Sequence, residues 1–206
     1  MKRDLYLKLL EWRASDRRKP LVLKGARQVG KTHILKAFGE AEYENSVYLN
    51  FEKNPSLIEF FKGQINPKEI LEKLSIYSEK KIYPEQTLIF FDEIQAAPEA
   101  LKSLKYFNEE CNEFHIVTAG SLLGVKIGQA APFPVGKVNF LHLHPFSFFE
   151  FLSGIGLSNL RDFLENISEF DPIEAPFHQK LIDTLKLYYF IGGMPEAIAQ
   201  YKQDTD

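Results

Sequence analysis

The sequence lacks the residues that would cross-link a small extracellular domain, because Cys111 is its only cysteine. No disulfide can form within the chain, and a cytoplasmic location is therefore predicted. We expect Cys111 to be an exposed or half-buried helix residue. No apolar run approaches the ~20 residues that a membrane-spanning helix requires. Residues 1–10 mix charges with leucines, which is not the pattern of a signal peptide.

What the chain does contain is typical of a globular domain, with 45% hydrophobic and 26% charged residues over 206 positions. The net charge of −3 is unevenly spread, because residues 1–36 hold 11 Lys or Arg against 3 Asp or Glu. Such a basic segment can contact either nucleic acid or the phosphates of a nucleotide. We favour the nucleotide, since the acidic remainder offers no extended groove of positive potential.

Short apolar segments alternate with segments of helical periodicity through the first two thirds of the chain. The predicted strands are residues 21–23, 47–51, 88–91, 114–118 and 138–143. The predicted helices between them run from Gly30 to Phe38, stopping at Gly39, and over residues 67–77 and 98–108. This order predicts an α/β fold with a mostly parallel sheet covered by helices.

The pattern changes after Pro145, where only helical segments follow, including 146–152 and 180–191. We therefore divide the chain into a core of residues 1–145 and a helical segment of residues 146–206. The polar tail, residues 200–206, shows no clear closing element.

A phosphate-binding loop is predicted where the sequence matches G-x-x-x-x-G-K-[ST] at every fixed position, between an apolar strand and a helix. Backbone N–H groups of such a loop, and the amino end of the following helix, attract phosphate oxygens. Lys31 would place its charge on the β- and γ-phosphates, and the Thr32 hydroxyl is a suitable ligand for Mg²⁺. The residues predicted to bind the nucleotide are Gly25, Ala26, Arg27, Gln28, Val29, Gly30, Lys31 and Thr32.

Two carboxylates follow the apolar segment 88–91. A strand there would deliver Asp92 to the carboxyl edge of the sheet, where it can hold Mg²⁺. Glu93 can orient or deprotonate an attacking water. ATP is favoured over GTP because the sequence has no N-K-x-D pattern. These residues predict an Mg²⁺-dependent ATPase. The alternative is a nucleotide-dependent module that binds DNA or protein with little hydrolysis, and Glu93 favours the first interpretation.

Small polar residues end the fourth predicted strand. Thr118 or Ser121 could hydrogen-bond the γ-phosphate or the attacking water, and we favour Ser121, which joins Glu93 and Lys31 as a predicted catalytic residue. The other interpretation is a strand-to-helix turn in which Ser121 is an N-cap.

Taken together, these motifs resemble the bacterial and archaeal AAA-type ATPases that carry a C-terminal domain of unknown function. The resemblance rests on Gly-Ala-Arg-Gln-Val-Gly-Lys-Thr at 25–32, Phe-Phe-Asp-Glu-Ile-Gln at 90–95 and Thr-Ala-Gly-Ser-Leu-Leu at 118–123, and it continues through residues 133–138, 144–151 and 192–197. It implies a three-layer P-loop NTPase sandwich whose five strands have the order 5-1-4-3-2. It also implies a further domain beyond Asp206.

The chain departs from this family at Gly136-Lys137, where many members have Gly-Arg. A lysine cannot reproduce the bidentate contact of a guanidinium. On the C-terminal side of the phosphate loop, the sequence contains one arginine, Arg161. We therefore expect an oligomeric neighbour or the C-terminal domain to complete the site.

Overall fold

The computed structural model describes residues 3–120, 134, 136–168 and 171–205. Within them, five strands form one sheet: β1 Leu21–Gly25, β2 Asn45–Asn50, β3 Thr87–Asp92, β4 His115–Ala119 and β5 Asn139–Leu143. All four pairings are parallel, and the order is β2-β3-β4-β1-β5. This is the predicted order 5-1-4-3-2 viewed from the other edge, so the predicted topology is confirmed.

Eight α-helices accompany the sheet in the described part of the chain: α1 Leu5–Ala14, α2 Lys31–Glu42, α3 Pro67–Ser78, α4 Pro98–Glu110, α5 Phe148–Gly154, α6 Ser158–Asn166, α7 Ala175–Ile191 and α8 Pro195–Thr205. Two 3-10 helices, Pro55–Phe61 and Ile94–Ala96, follow β2 and β3. Not one of these described helices combines the length and apolarity that crossing a membrane would require.

The chain forms two compact units. The sheet unit is Tyr6–Leu143, and it contains all five strands. The helical unit comprises the residues up to Leu5 together with those from His144 onward, and it contains α5 to α8.

Alternation along β3 explains why helices cover both faces of the sheet. Ile89 and Phe91 point to one face, where they join a buried cluster with apolar residues of α3 and α4. Leu88 points to the other face and lies against α2. Because successive side chains of a strand alternate between faces, the uninterrupted apolar strand is buried on both sides, as in a three-layer α/β sandwich.

Three phenylalanines anchor the carboxyl ends of β2 and β3. Phe51 follows β2, Phe91 precedes the last residue of β3, and Phe61 comes from the first 3-10 helix. Their ring centroids lie 5.5–5.8 Å apart in edge-to-face contacts. Such pairs stabilise a core by about 0.5–1.5 kcal/mol each beyond their burial. The cluster therefore fixes the strand ends that carry the polar residues described below.

The prediction that α2 stops at Gly39 was wrong, because the helix continues to Glu42. A Cβ atom at Gly39 would lie 3.1 Å from Leu88 Cδ2 and 3.4 Å from Ser46 Cβ. The glycine therefore allows close packing of α2 on β2 and β3, and it is not a terminator.

In the helical unit, α5 begins with a capping box. The Ser147 hydroxyl accepts a bond from the Glu150 N–H, and the Glu150 carboxylate accepts one from the Ser147 N–H. The buried Glu150 carboxylate also pairs with Arg3 Nε at 3.0 Å.

The expectation that residues 200–206 lack a closing element was wrong, because α8 runs through Thr205. Ile198 of this helix is fully buried and packs with Phe146 and Phe151. Ile198 is a single buried apolar residue next to a polar segment, and it was not enough to predict a closing helix from the sequence.

Candidate functional site

Two glycines lie at the ends of the loop between β1 and α2. Gly25 has a φ of 157°, and a Cβ atom there would collide with the carbonyl oxygen of Leu143. Gly30 has a φ of 98° and precedes α2 as its N-cap. Side chains are disfavoured at both positions. Ala26, Arg27 and Gln28, between them, are exposed, so the predicted phosphate loop presents its backbone at the amino end of a helix.

Lys31 opens α2 and is buried, with 7% of its surface exposed. Its Nζ donates hydrogen bonds to the carbonyl oxygens of Gly25, at 2.9 Å, and Ala26, at 2.6 Å. Burial lowers the pKa of Lys31, while the charges of Glu93 and Asp92 act in the opposite direction. The ammonium therefore lies against its own loop, where the charges of Asp92 and Glu93 act on it.

Asp92 is the last residue of β3 and its carboxylate is the centre of a polar network. Thr32 Oγ1 lies 3.3 Å from Asp92 Oδ1 and 3.1 Å from Oδ2, and the Glu93 N–H donates to Oδ1 at 3.1 Å. Only 2% of the residue is exposed. Two predicted metal ligands from distant parts of the sequence are thus brought together.

Tyr48 was not predicted as a site residue, yet its hydroxyl donates to Asp92 Oδ2 at 2.8 Å. In the β2–β3 register Asn50 lies beside Asp92, and Asn50 Nδ2 donates to Tyr48 Oη at 3.3 Å. The Nζ of Lys36 lies 3.8 Å from the centroid of the ring. Burial, together with the bond to Asp92, raises the pKa of Tyr48 to about 12. The phenol therefore keeps its proton and can hold the carboxylate in place.

Glu93 adopts a left-handed backbone conformation, with a φ of 51°, at the turn after β3. Its Oε2 accepts a hydrogen bond from Gln95 Nε2 at 2.5 Å, and the same amide lies 3.4 Å from Glu52 Oε1. Non-glycine residues in this conformation are uncommon and carry a strain of about 1–3 kcal/mol. Gln95 is the second residue that the sequence did not single out as part of the site.

Of the two candidates at the end of the fourth strand, the structure describes only Thr118. Thr118 lies in β4 beside Val22 of β1 and Phe91 of β3, is fully buried, and has no hydrogen-bond partner for Oγ1 among the described residues. Ser121 lies outside the described residues, and its predicted role stays a prediction.

Other residues considered from the sequence have structural partners. Arg161 pairs with Asp4 at 2.7 Å and Glu165 at 2.8 Å within the helical unit. Lys137 pairs with Glu109 at 2.8 Å. Trp12 is buried and donates its indole N–H to the carbonyl oxygen of Lys19 at 2.8 Å.

An all-parallel sheet of this order, with a G-x-x-x-x-G-K-[ST] loop between β1 and α2 and an acidic residue ending β3, defines a P-loop nucleotide-binding fold. The family model described as an AAA domain matches residues 17–152, more than half of the chain. The chain therefore belongs to this family, whose members bind ATP.

Solved structures share the fold at low sequence identity. A Walker-type ATPase of Pyrococcus abyssi matches with a TM-score of 0.56 and 16% identity, covering 100% of this chain and 68% of that one. PCH-2 of C. elegans matches with a TM-score of 0.52 and 14% identity, covering 94% and 57%. Drosophila ORC bound to DNA matches with a TM-score of 0.54 and 14% identity, covering 96% and 58%. A search of the curated proteins found no match.

Proposed function

We propose that the chain binds ATP with Mg²⁺ at residues 25–32 and hydrolyses it, and that hydrolysis drives a conformational change. The observation that carries this proposal is the contact between the Thr32 hydroxyl and the Asp92 carboxylate, 3.1 Å apart behind the glycine loop. Glu93 follows directly, so a base for the attacking water lies beside the metal ligands.

The donor atoms at Thr32 and Asp92 fit Mg²⁺. Both are hard oxygens, the carboxylate is buried, and neither side chain forms an ion pair in the described part of the chain. Magnesium sites commonly use one or two protein oxygens together with water and phosphate. When bound, the ion neutralises charge that develops on the transferred phosphoryl group. Lys31 would exchange its two loop carbonyls for phosphate oxygens.

Glu93 would take a proton from the attacking water. Its Oε2 accepts a hydrogen bond from Gln95, and within the described part of the chain no side chain donates to Oε1, which could accept from water. Gln95 therefore acts as a positioning residue that orients the base.

A nucleotide-dependent binding module for DNA or protein, with little hydrolysis, is the second candidate. The observation that favours it is the supply of arginine: Arg27 is exposed in the loop, and Arg161 is already paired with two carboxylates. The Drosophila ORC structure is bound to DNA. Phosphate release by the full-length protein, measured with and without DNA, distinguishes the two candidates, because the second one gives little release under either condition.

We expect this chain alone to hydrolyse ATP slowly. Residues 1–145 would form the ATPase core, and residues 146–206 a helical segment leading into a C-terminal domain; that domain or a neighbouring copy would supply the missing arginine. In P-loop enzymes, an added arginine raises the rate of phosphoryl transfer about 10³–10⁵-fold. The steady-state rate of phosphate release per protein molecule should therefore rise with protein concentration or with extension of the chain. A rapid rate that is independent of both would contradict the prediction.

Tyr48→Phe is expected to raise the Mg²⁺ concentration required for half-maximal ATP binding by about 10–100-fold, the usual effect of removing a group that orients a metal ligand. The phenylalanine keeps the ring contacts with Phe90 and Lys36. ATP affinity in EDTA should stay unchanged. Calorimetric titration of ATP at a series of Mg²⁺ concentrations checks this.

The matched control is Tyr6→Phe, which removes a hydroxyl that donates to Glu42 at 2.8 Å, away from the loop. An unchanged Mg²⁺ requirement in Tyr48→Phe, or an equal increase in both variants, would show that the Tyr48 hydroxyl does not position Asp92.

A further inference from the structure

The turn of α2 that follows Thr32 carries a second residue connected to the Asp92 carboxylate. Thr32 and Lys36 are four residues apart in α2, so they lie on the same face of the helix. Thr32 contacts Asp92 directly through its hydroxyl. The Nζ of Lys36 lies 3.8 Å from the centroid of the Tyr48 ring, and the Tyr48 hydroxyl donates to Asp92 Oδ2 at 2.8 Å. One helix face is thus connected to the same carboxylate twice, once directly and once through a tyrosine.

The sheet supports the Tyr48 ring from the strand side. Tyr48 of β2 lies beside Phe90 of β3 in the strand register, and their ring centroids are 5.2 Å apart. Leu88, two residues before Phe90, lies against Gly39 of α2. Because every second side chain of a strand points to the same face of the sheet, Tyr48, Phe90 and Asp92 all point to the face that α2 covers. Phe90 therefore contacts the tyrosine ring from the sheet, and Lys36 contacts it from the helix.

Lys36 contacts this ring although an acidic residue is available on its own helix. Glu40 lies four residues later in α2, which is the spacing of a helical ion pair. Within the described residues, however, Lys36 forms no ion pair. Lys36 is exposed, and its ammonium lies over the half-buried Tyr48 ring, whose face attracts a cation. The contact therefore restrains the ring whose hydroxyl donates to Asp92.

We propose that Lys36 is a positioning residue for the metal site, because its ammonium holds the Tyr48 ring in the orientation in which the hydroxyl donates to Asp92. The inference rests on the proposed function, in which Thr32 and Asp92 provide oxygen ligands for Mg²⁺. Groups that orient a metal ligand without touching the metal affect its affinity. Lys36 acts one step further out, through Tyr48, so its effect is smaller than that of the tyrosine hydroxyl.

Lys36→Met keeps a long, unbranched side chain but removes the ammonium. It should raise the Mg²⁺ concentration required for half-maximal ATP binding by about 2–5-fold, which corresponds to ~0.5–1 kcal/mol. The direction of the change is informative. Loss of a nearby positive charge would by electrostatics alone favour Mg²⁺ and lower the required concentration. Calorimetric titration of ATP at a series of Mg²⁺ concentrations measures it.

Two further variants separate the ring contact from charge. Lys36→Arg retains a cation that can lie over the ring, and it should keep the wild-type Mg²⁺ requirement. Lys73→Met makes the same charge change at an exposed position of α3, and it should also leave the requirement unchanged. An unchanged or lowered requirement in Lys36→Met, an equal increase in Lys73→Met, or an increase in Lys36→Arg would overturn the proposal.

The double variant Lys36→Met, Tyr48→Phe tests whether the effect passes through the tyrosine hydroxyl. Phenylalanine keeps the ring but has no hydroxyl to position. The double variant should therefore require the same Mg²⁺ concentration as Tyr48→Phe alone. A further increase in the double variant would mean that Lys36 acts by another route, and the proposal would be wrong.

Proton NMR of the nucleotide-free protein separates this inference from the proposed function. The ring current of Tyr48 should shift the Hε resonances of Lys36 upfield of those of Lys73, and Tyr48→Leu should remove the shift. Absence of the shift overturns the role of Lys36 and leaves the metal site standing. A normal upfield shift, combined with wild-type ATP binding that is independent of Mg²⁺, overturns the metal site and with it the role proposed for Lys36.

Discussion

Glu93→Gln is expected to lower the rate of ATP hydrolysis by about 10²–10⁴-fold, the usual contribution of a general base, while ATP affinity is retained. The amide has the size of the carboxylate but cannot accept a proton. Its oxygen can still receive the bond from Gln95 that Glu93 Oε2 receives now, so the geometry of the turn is preserved. Phosphate release under single-turnover conditions and calorimetry with ATP measure the two effects separately.

Glu52→Gln is the matched control for this variant. Glu52 Oε1 lies 3.4 Å from the same Gln95 amide, but Glu52 is not adjacent to Asp92 in the sequence. Its replacement should leave turnover within a few-fold of the wild-type rate. Wild-type turnover in Glu93→Gln, or an equal loss in both variants, would mean that Glu93 is not the base.

Lys31→Ala is expected to weaken ATP binding by about 100-fold or more. Hydrogen bonds to charged groups contribute about 1.5–3 kcal/mol, and each 1.4 kcal/mol corresponds to a tenfold change in affinity. The ammonium would serve two charged phosphates in place of two neutral carbonyl oxygens, and we expect a net loss near ~3 kcal/mol. Calorimetry on wild-type and variant proteins checks it.

Lys62→Ala provides a variant of equal charge change at an exposed position, where Lys62 pairs with Glu59. It should bind ATP as the wild-type protein does. Equal ATP affinities for wild type and Lys31→Ala would contradict the assignment of residues 25–32, whereas equal losses in both variants would point to net charge alone.

The sequence alone was sufficient for the parts of the fold that depend on local pattern. The glycine loop and the apolar strand before Asp92 each show their own pattern in the sequence, and the topology followed from the family resemblance. Tyr48 and Gln95 could not be found in this way. Tyr48 reaches Asp92 because β2 and β3 pair in one particular register, and a single sequence does not specify which residues face each other across strands.

Two errors had the same physical cause, namely packing that overrides a local signal. Gly39 was interpreted as a helix end but lies where α2 packs closely on β2 and β3. Cys111 was expected to be exposed or half-buried, whereas it is 1% exposed in the cluster beneath α4. Glycine and cysteine both suit tight packing. Only tertiary contacts show whether such a residue packs in the core or lies at a helix end or an exposed position.

The bonds from the Lys31 ammonium to the carbonyl oxygens of Gly25 and Ala26 mean that an incoming ligand competes with the loop itself. Each bond from a charged donor is worth about 1.5–3 kcal/mol, and a ligand has to replace both. A chain of phosphates offers successive oxygens that can do so, whereas a lone anion offers fewer acceptors. We therefore expect the loop to select ligands by the number of linked phosphates as well as by charge, and to disfavour monophosphates.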